Sequence, residues 1–251
     1  MSKEMYLMRR GFVGDTENDE ISDYAHDSFE EALAINGLAD DVEIYMSRPT
    51  DKPVRTRAII QNDTTDNPEF ASLRQILCRD GTNLQCGNYI KRDDGSWWII
   101  PYLPGSNGMY EKSFIWYCNY VLKFISPLTG EMVEYPVNTE NATRYNSGER
   151  ETSKMLVGTT QHILYIPNNS ETILINNGHR LLYDYNRIQP TAMRVTQVDT
   201  TSYAYGGQVR LLRWTLVEDQ YNEQTDDAVS GVANLRPYGS IPGNEGSSIF
   251  G

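Results

Sequence analysis

The chain has 251 residues, of which 39% are apolar and 22% charged, and its formal net charge is −12. That length and mixture bury a real core, as one large or two small domains, and exclude general disorder. The acidic balance excludes a surface that wraps nucleic acid, since phosphate binding needs clustered Lys and Arg, while leaving room for a surface that DNA slides past.

The first residues, MSKEMYLMRR, are partly basic, but GFVGDTENDE follows where a signal peptide would have its apolar core. No apolar run reaches the about 18 residues of a membrane span, so we expect a protein made and used inside a cell or released by lysis. Asp27 and Ser28 before Glu30 and Glu31 predict a helix start, with Phe29, Ala32, Leu33 and Ile35 as its apolar stripe and Gly37 as its stop. Ile21, Tyr24, Ala25 and Ser28 keep the same spacing and allow a start near Asp19. Residues 1–40 therefore read as an N-terminal helical arm, which either covers the open end of a barrel or docks on a neighbouring subunit.

From Val42 onward the chemistry is that of strands. VEIYMS and VRTRAIIQND flank a turn with Pro49 and Pro53, and RQILCR leads to the Asp80-Gly81 turn. Leu84 to Phe124 holds three of the four Trp and is cut by turns at Asp93-Asp94-Gly95 and Pro104-Gly105-Ser106-Asn107 into a three-stranded meander. In its last run Phe114, Trp116, Cys118, Tyr120, Leu122 and Phe124 alternate with a mixed parity, which predicts one long strand with that face in the core. Trp97 and Trp98 are adjacent in a strand and must face opposite ways. Met132 to Val137 can pair back as a hairpin.

Residues 138–154 are polar and read as a loop or linker between a first β module, 41–137, and a second, 155–235. HILYIP, ETILIN, HRLLYDY, TAMRVTQVD and QVRLLRWTLVED are the second module's strand candidates, with Leu212, Trp214 and Leu216 alternating in the last. Leu84-x-x-Gly87-x-Tyr89-Ile90, followed by Trp98-Ile99-Ile100, is echoed by Ile175-x-x-Gly178-x-Arg180-Leu181-Leu182 and Met193-Arg194-Val195. The two halves thus read as similar modules, small β-barrels or sandwiches, with Gly87, Trp98, Trp116, Cys118 and Trp214 as the core signature. Residues 236–251 form an extended tail rich in Gly, Pro and Ser, and ordering it costs about 1 to 2 kcal/mol per residue. Tyr238, Ile241, Ile249 and Phe250 are its candidate assembly contacts, matched at the other end by Met5, Tyr6, Leu7 and Met8.

Signals for catalysis are missing from the sequence. There is no Gly-x-Ser-x-Gly elbow and no phosphate-binding Gly-x-x-x-x-Gly-Lys. Cys78, Cys86 and Cys118 contain no C-x-x-C pair, and His26, His162 and His179 are isolated, so no metal site, cofactor or enzymatic activity is expected. Seventeen Tyr and four Trp on a β scaffold would also suit a carbohydrate- or receptor-binding module.

Leu84, Gly87, Tyr89 and Ile90, the Trp97-Trp98 pair, Tyr110-Glu111-Lys112 and Cys118-Asn119-Tyr120 resemble tailed-phage neck proteins of the head-closure or head-tail connector type. Glu218-Asp219-Gln220-Tyr221-Asn222 with Thr225-Asp226 is similar to that family's closing segment. The resemblance implies a structural virion protein, assembled in the host cytoplasm and placed at the head-tail junction. It implies a ring of copies of this chain between a portal or adaptor protein and a tail-terminator or tail protein. Packaged DNA would pass through the lumen without sequence-specific binding, and no membrane is involved. The carbohydrate- or receptor-binding module of a phage tail is the alternative.

Overall fold

A computed structural model describes residues 17–35, 37–62, 73–141, 161–184 and 190–234. Helix α1 spans Glu17–Ala34, starting ahead of the expected cap. Tyr24 is exposed whereas Leu33 is fully buried, so the stripe that packs is Ala25, Phe29, Ala32 and Leu33. Phe29 meets Tyr110 with ring centroids 5.2 Å apart, and Arg79 clasps Glu30 through Nε (2.7 Å to Oε1) and Nη2 (2.7 Å to Oε2). The helix ends where Arg57 Nη1 donates to Ala34 O (3.2 Å), a cation at the negative pole of the helix. Gly37, at φ 97°, turns the chain into the first strand. Helix α1 thus lies on its own barrel.

That barrel is built from β1 (Asp40–Tyr45), β2 (Val54–Asn62), β3 (Leu73–Arg79), β4 (Tyr89–Arg92), β5 (Trp97–Ile99), β6 (Gly105–Ser106) and β7 (Tyr110–Tyr117). The order is β3-β2-β1-β4-β5-β7, and β7 pairs back on β3 from Leu73↔Trp116 to Arg79↔Tyr110. All pairings are antiparallel, and closure removes the open edges a free sheet would present. Val42, Ile44, Ala58, Ile76, Cys78, Leu84, Ile90, Trp98, Ile100 and Ile115 fill the interior. A buried carboxylate holds the loop that crosses from β3 to β4. Glu111 accepts from the backbone N–H groups of Gly81 (3.0 Å), Asn83 (2.9 Å) and Leu84 (2.6 Å).

The second barrel comprises β8 (Tyr120–Ile125), β9 (Met132–Asn141), β10 (Gln161–Pro167), β11 (Arg180–Tyr183), β12 (Thr191–Asp199), the small β13 (Ala204–Tyr205) and β14 (Gln208–Val209) hairpin, and β15 (Leu211–Asp219). Its order is β11-β12-β15-β10-β9-β8, around a core that includes Leu122, Phe124, Leu164, Trp214 and Leu216. Between β8 and β11 a side chain takes the place of the ladder. Tyr120 Oη accepts from Asp184 N (3.1 Å) and lies 3.5 Å from Leu182 O, and its ring packs 4.7 Å from that of Tyr183. The barrel is nearly closed.

The two barrels share one plan. Numbering the main strands of each from one to six in chain order, both run 3-2-1-4-5-6 with strand six back on three. The echoed sequence carries the same bonds in each. Gly87 N donates to Ile100 O (2.8 Å), Asn88 N to Gln85 O (3.1 Å) and Ile100 N to Asn88 O (3.0 Å). In the second barrel Gly178 N donates to Val195 O (2.7 Å), His179 N to Asn176 O (3.1 Å) and Val195 N to His179 O (2.8 Å). Both glycines have positive φ, 85° and 92°, which explains why glycine stands at both.

Three expectations are corrected. The expected long strand is two strands, because Cys118 and Asn119 leave the ladder. Asn119 Nδ2 donates to Thr139 O and its Oδ1 accepts from Thr139 N, both at 2.9 Å, so a side-chain amide replaces the strand backbone there. In β7 the inward face is Glu111, Ser113 and Ile115, which puts Phe114 and Trp116 on the outside. The division between modules does not fall at 138–154. One compact unit holds the chain to Met46 and Lys52–Tyr117, and the other holds Ser47–Asp51 and the chain from Cys118. The expected strand ETILIN is instead a 3-10 turn, Thr172–Leu174, because Asn169 Oδ1 accepts from Glu171 N (2.9 Å) and Thr172 N (3.1 Å) and coils the chain.

Candidate functional site

The expected core signature is spread over both units. Gly87 makes the turn into β4, Trp98 lines the first barrel, and Trp214 is fully buried in the second. Cys118 is buried at the junction of β7 and β8. Trp116 departs from expectation, being half-buried on the outer face with its ring edge-on to Tyr102 at 5.6 Å. Of the adjacent pair, Trp98 faces in and Trp97 faces out, between Tyr45 (5.0 Å) and Tyr89 (5.8 Å) with Lys91 Nζ 5.4 Å from its ring centre. The candidate assembly contacts Met5, Tyr6, Leu7, Met8, Tyr238, Ile241, Ile249 and Phe250 lie outside the described residues.

The outer face of β7 carries an apolar groove of the first unit. Leu103, 65% exposed, stands with Tyr110 and Phe114 along a groove of about 360 Å³ that Ser106, Asn107 and Lys112 rim. Its wall is held rigid by a turn. Asn107 Oδ1 accepts from Met109 N and Tyr110 N, both at 3.1 Å, and Ser106 Oγ donates to Asp80 Oδ1 at 2.6 Å. Tyr102 packs edge-on against Phe114 at 6.3 Å. The corresponding outer positions of the second barrel, two strands along the same plan, are Thr215 and Val217 where β7 has Phe114 and Trp116. The aromatic face is therefore an addition that the barrel itself does not require. Such a surface can bind an apolar segment.

A larger groove of about 750 Å³ gathers Arg55, Arg57, Arg79, Lys91 and Arg92 on the same barrel. Its arginines are paired: Arg55 with Glu43 (3.0 Å), Arg57 with Asp41 (3.7 Å), Arg79 with Glu30 (2.7 Å) and Arg92 with Asp40 (2.8 Å). The hydrogen bond from Arg79 holds Glu30 below the usual carboxylate range. The lining itself sets these five cations against Asp41, Glu43 and Asp93.

In the second unit the strongest polar feature is structural. Arg180 uses its whole guanidinium: Nε on Asp219 (3.0 Å), Nη1 on Asp226 and Asn234 (both 2.9 Å), and Nη2 on Asp226 (2.7 Å) and the carbonyl of Gln220 (2.6 Å). It pins the strap 220–234 to the barrel, with Ala233 packed on Leu182 and Ala192. This is the segment that sequence resemblance singled out as closing. The sequence marked Asp226, Glu111 and Asn119 only through that resemblance and Arg180 only through the internal echo, and it showed none of their bonds, whose partners are all distant in the chain.

The three thiols and His179 are buried, and His162 is half-buried. Burial pushes Cys78 up to about 12 and Cys118 up as well, and it lowers both His162 and His179. Among the described residues no three His, Cys, Asp or Glu side chains converge as metal ligands, and no helix is long and apolar enough to cross a membrane.

A family model described as the YomX N-terminal domain matches residues 16–117, and that family is phage-associated. The matched region is α1 with the first barrel, and it stops where the first unit does. No curated protein matches the chain. Among solved structures, MrkH, described as a novel c-di-GMP-dependent transcription regulatory factor, aligns over 83% of this chain and 87% of its own at 9% identity. Its TM-score is 0.22, too low to carry an argument.

Proposed function

We propose that this chain is a structural component of a tailed-phage neck, forming a ring between the portal-adaptor complex and the tail. The observation that carries the reading is the match of α1 and the first barrel to a phage-associated domain. The neck itself is inferred from the resemblance around Gly87, Trp97-Trp98 and Cys118-Asn119-Tyr120. The outer groove at Leu103 and Phe114 supplies apolar surface of the kind subunit contacts bury, and a closed ring uses heterologous interfaces whose rotation matches its partner. The net charge of −12 suits a lumen through which DNA slides.

The carbohydrate-binding reading has less support. Stacking on a sugar needs an open aromatic face, and Trp97 has Tyr45 and Tyr89 against it and Lys91 near its ring. Electron microscopy of particles from a phage with this gene disrupted tests the proposal. Tails beside separate heads that have leaked DNA are expected; normal infectious particles would end the neck reading.

A further inference from the structure

We infer that Asn107 is a site of covalent self-modification, where the turn between β6 and β7 promotes loss of the side-chain amide to give aspartate and isoaspartate. This chemistry lies within the first unit and does not depend on the neck reading.

The sequence contains three Asn-Gly steps, Asn36-Gly37, Asn107-Gly108 and Asn177-Gly178, and the structure describes both residues of the last two. Glycine after asparagine matters because the reaction begins at the backbone nitrogen of the following residue, where a Cβ would crowd the approach to the side chain. Hydroxide takes the proton from Gly108 N, the nitrogen attacks Asn107 Cγ, and a succinimide ring closes as the Cγ–Nδ2 bond breaks. Nδ2 takes a proton from water and leaves as ammonia, which restores the hydroxide. Water then adds to either ring carbonyl and reopens the ring, giving aspartate from one and isoaspartate from the other. Nothing is oxidised or reduced, and hydroxide and water are the only other reactants.

Two features separate the two sites. Asn107 Oδ1 accepts from Met109 N and Tyr110 N, both at 3.1 Å. Those donors withdraw charge from Cγ and stand where negative charge develops on the oxygen as the nitrogen attacks, the arrangement of an oxyanion hole. The second feature is the state of the attacking nitrogen. Gly108 N donates to the Ser106 hydroxyl at 3.1 Å, a group that can rotate aside, and nothing lies within 4 Å of where a Gly108 Cβ would stand. Asn107 and Gly108 are both exposed, so hydroxide reaches them. Asn177 is exposed as well, but Gly178 N donates to Val195 O at 2.7 Å, a backbone bond of the turn into β11. That nitrogen is freed only when the turn opens, so local unfolding must precede its attack.

The product alters the turn. Isoaspartate routes the main chain through the former side chain, which lengthens the backbone at residue 107 and displaces the acceptor of Met109 N and Tyr110 N.

The test is to age the purified full-length chain in mildly alkaline buffer, both native and in concentrated urea, and to follow each Asn-Gly step by peptide mapping with mass spectrometry. In the native chain Asn107 should convert at least about tenfold faster than Asn177, an oxyanion donor being worth more than that where water is excluded. In urea the two rates should converge, because neither turn persists. Equal native rates, faster conversion at Asn177 or no conversion at Asn107 would overturn the inference. So would a ratio that survives in urea, since the neighbouring sequence and not the fold would then set it.

Discussion

Single buried charges decide local geometry in both barrels. Glu111 is held by three backbone N–H groups; Glu111→Ala leaves the buried Leu84 N–H without a partner at a cost of about 1–3 kcal/mol, while the exposed Gly81 and Asn83 can turn to water. Chemical denaturation should show a loss of about 1–3 kcal/mol, and amide exchange at Gly81, Asn83 and Leu84 should accelerate more than exchange elsewhere. The Arg180–Asp226 pair makes a sharper case. Removing one partner of a buried pair costs about 3–5 kcal/mol because the other charge is left alone, so Arg180→Met should destabilise more than Arg180→Met with Asp226→Leu. Burial alone would raise the Asp226 pKa, but hydrogen bonds from Arg180 and from the Asn222 and Asn234 N–H groups outweigh it and lower it. A carboxyl lowered in the folded state contributes stability above its unfolded value of about 3.9, and that stability is lost as pH falls through the folded value. The strap should therefore loosen in acid below about pH 4, seen as faster exchange at Asn222 and Asn234, and Asp226→Asn should flatten that dependence.

At the scale of elements, the shared turn predicts shared sensitivity. Gly87→Ala and Gly178→Ala each place a Cβ at positive φ, and each should cost about 1–2 kcal/mol in thermal or denaturant melts. The seam between β8 and β11 should respond to a single hydroxyl. Tyr120→Phe removes the acceptor of Asp184 N–H, for a loss of about 1 kcal/mol and faster exchange at Asp184, while the first barrel, closed by backbone pairing from β1 to β4, stays unaffected.

What was legible in the sequence follows the range of the interactions. Strand chemistry was readable for β1, β2, β3, β10, β12 and β15, because alternation is local. The Gly87 and Gly178 echo was readable too, since a positive φ narrows the choice of residue. The inward face of β7 was not: Phe114 and Trp116 are bulkier than Ser113 and Ile115, yet the interior is already filled by Ile76, Trp98 and Ile100 and takes the smaller set. Nor was the module boundary, because Asn119 keeps the alternation of apolar residues unbroken while its amide bonds Thr139 and ends one barrel. The candidate site was not legible, because the groove at Leu103 appears only when β6 folds beside β7.

At the scale of the whole molecule the chain is two barrels of one plan. The first carries α1, the outer aromatic face and the match to a phage-associated domain, and the second adds the strap that Arg180 pins to it. The plan repeats while the outer surfaces diverge, as expected where the shared core serves folding and the differing faces serve partners. The most direct test of the neck reading is to locate the chain in the particle, by gold-labelled antibody or by density in a cryo-electron reconstruction of the whole phage. The account predicts a ring of this two-barrel chain at the junction of head and tail. Density or label confined to the tail tip, or absence from the particle, would contradict it.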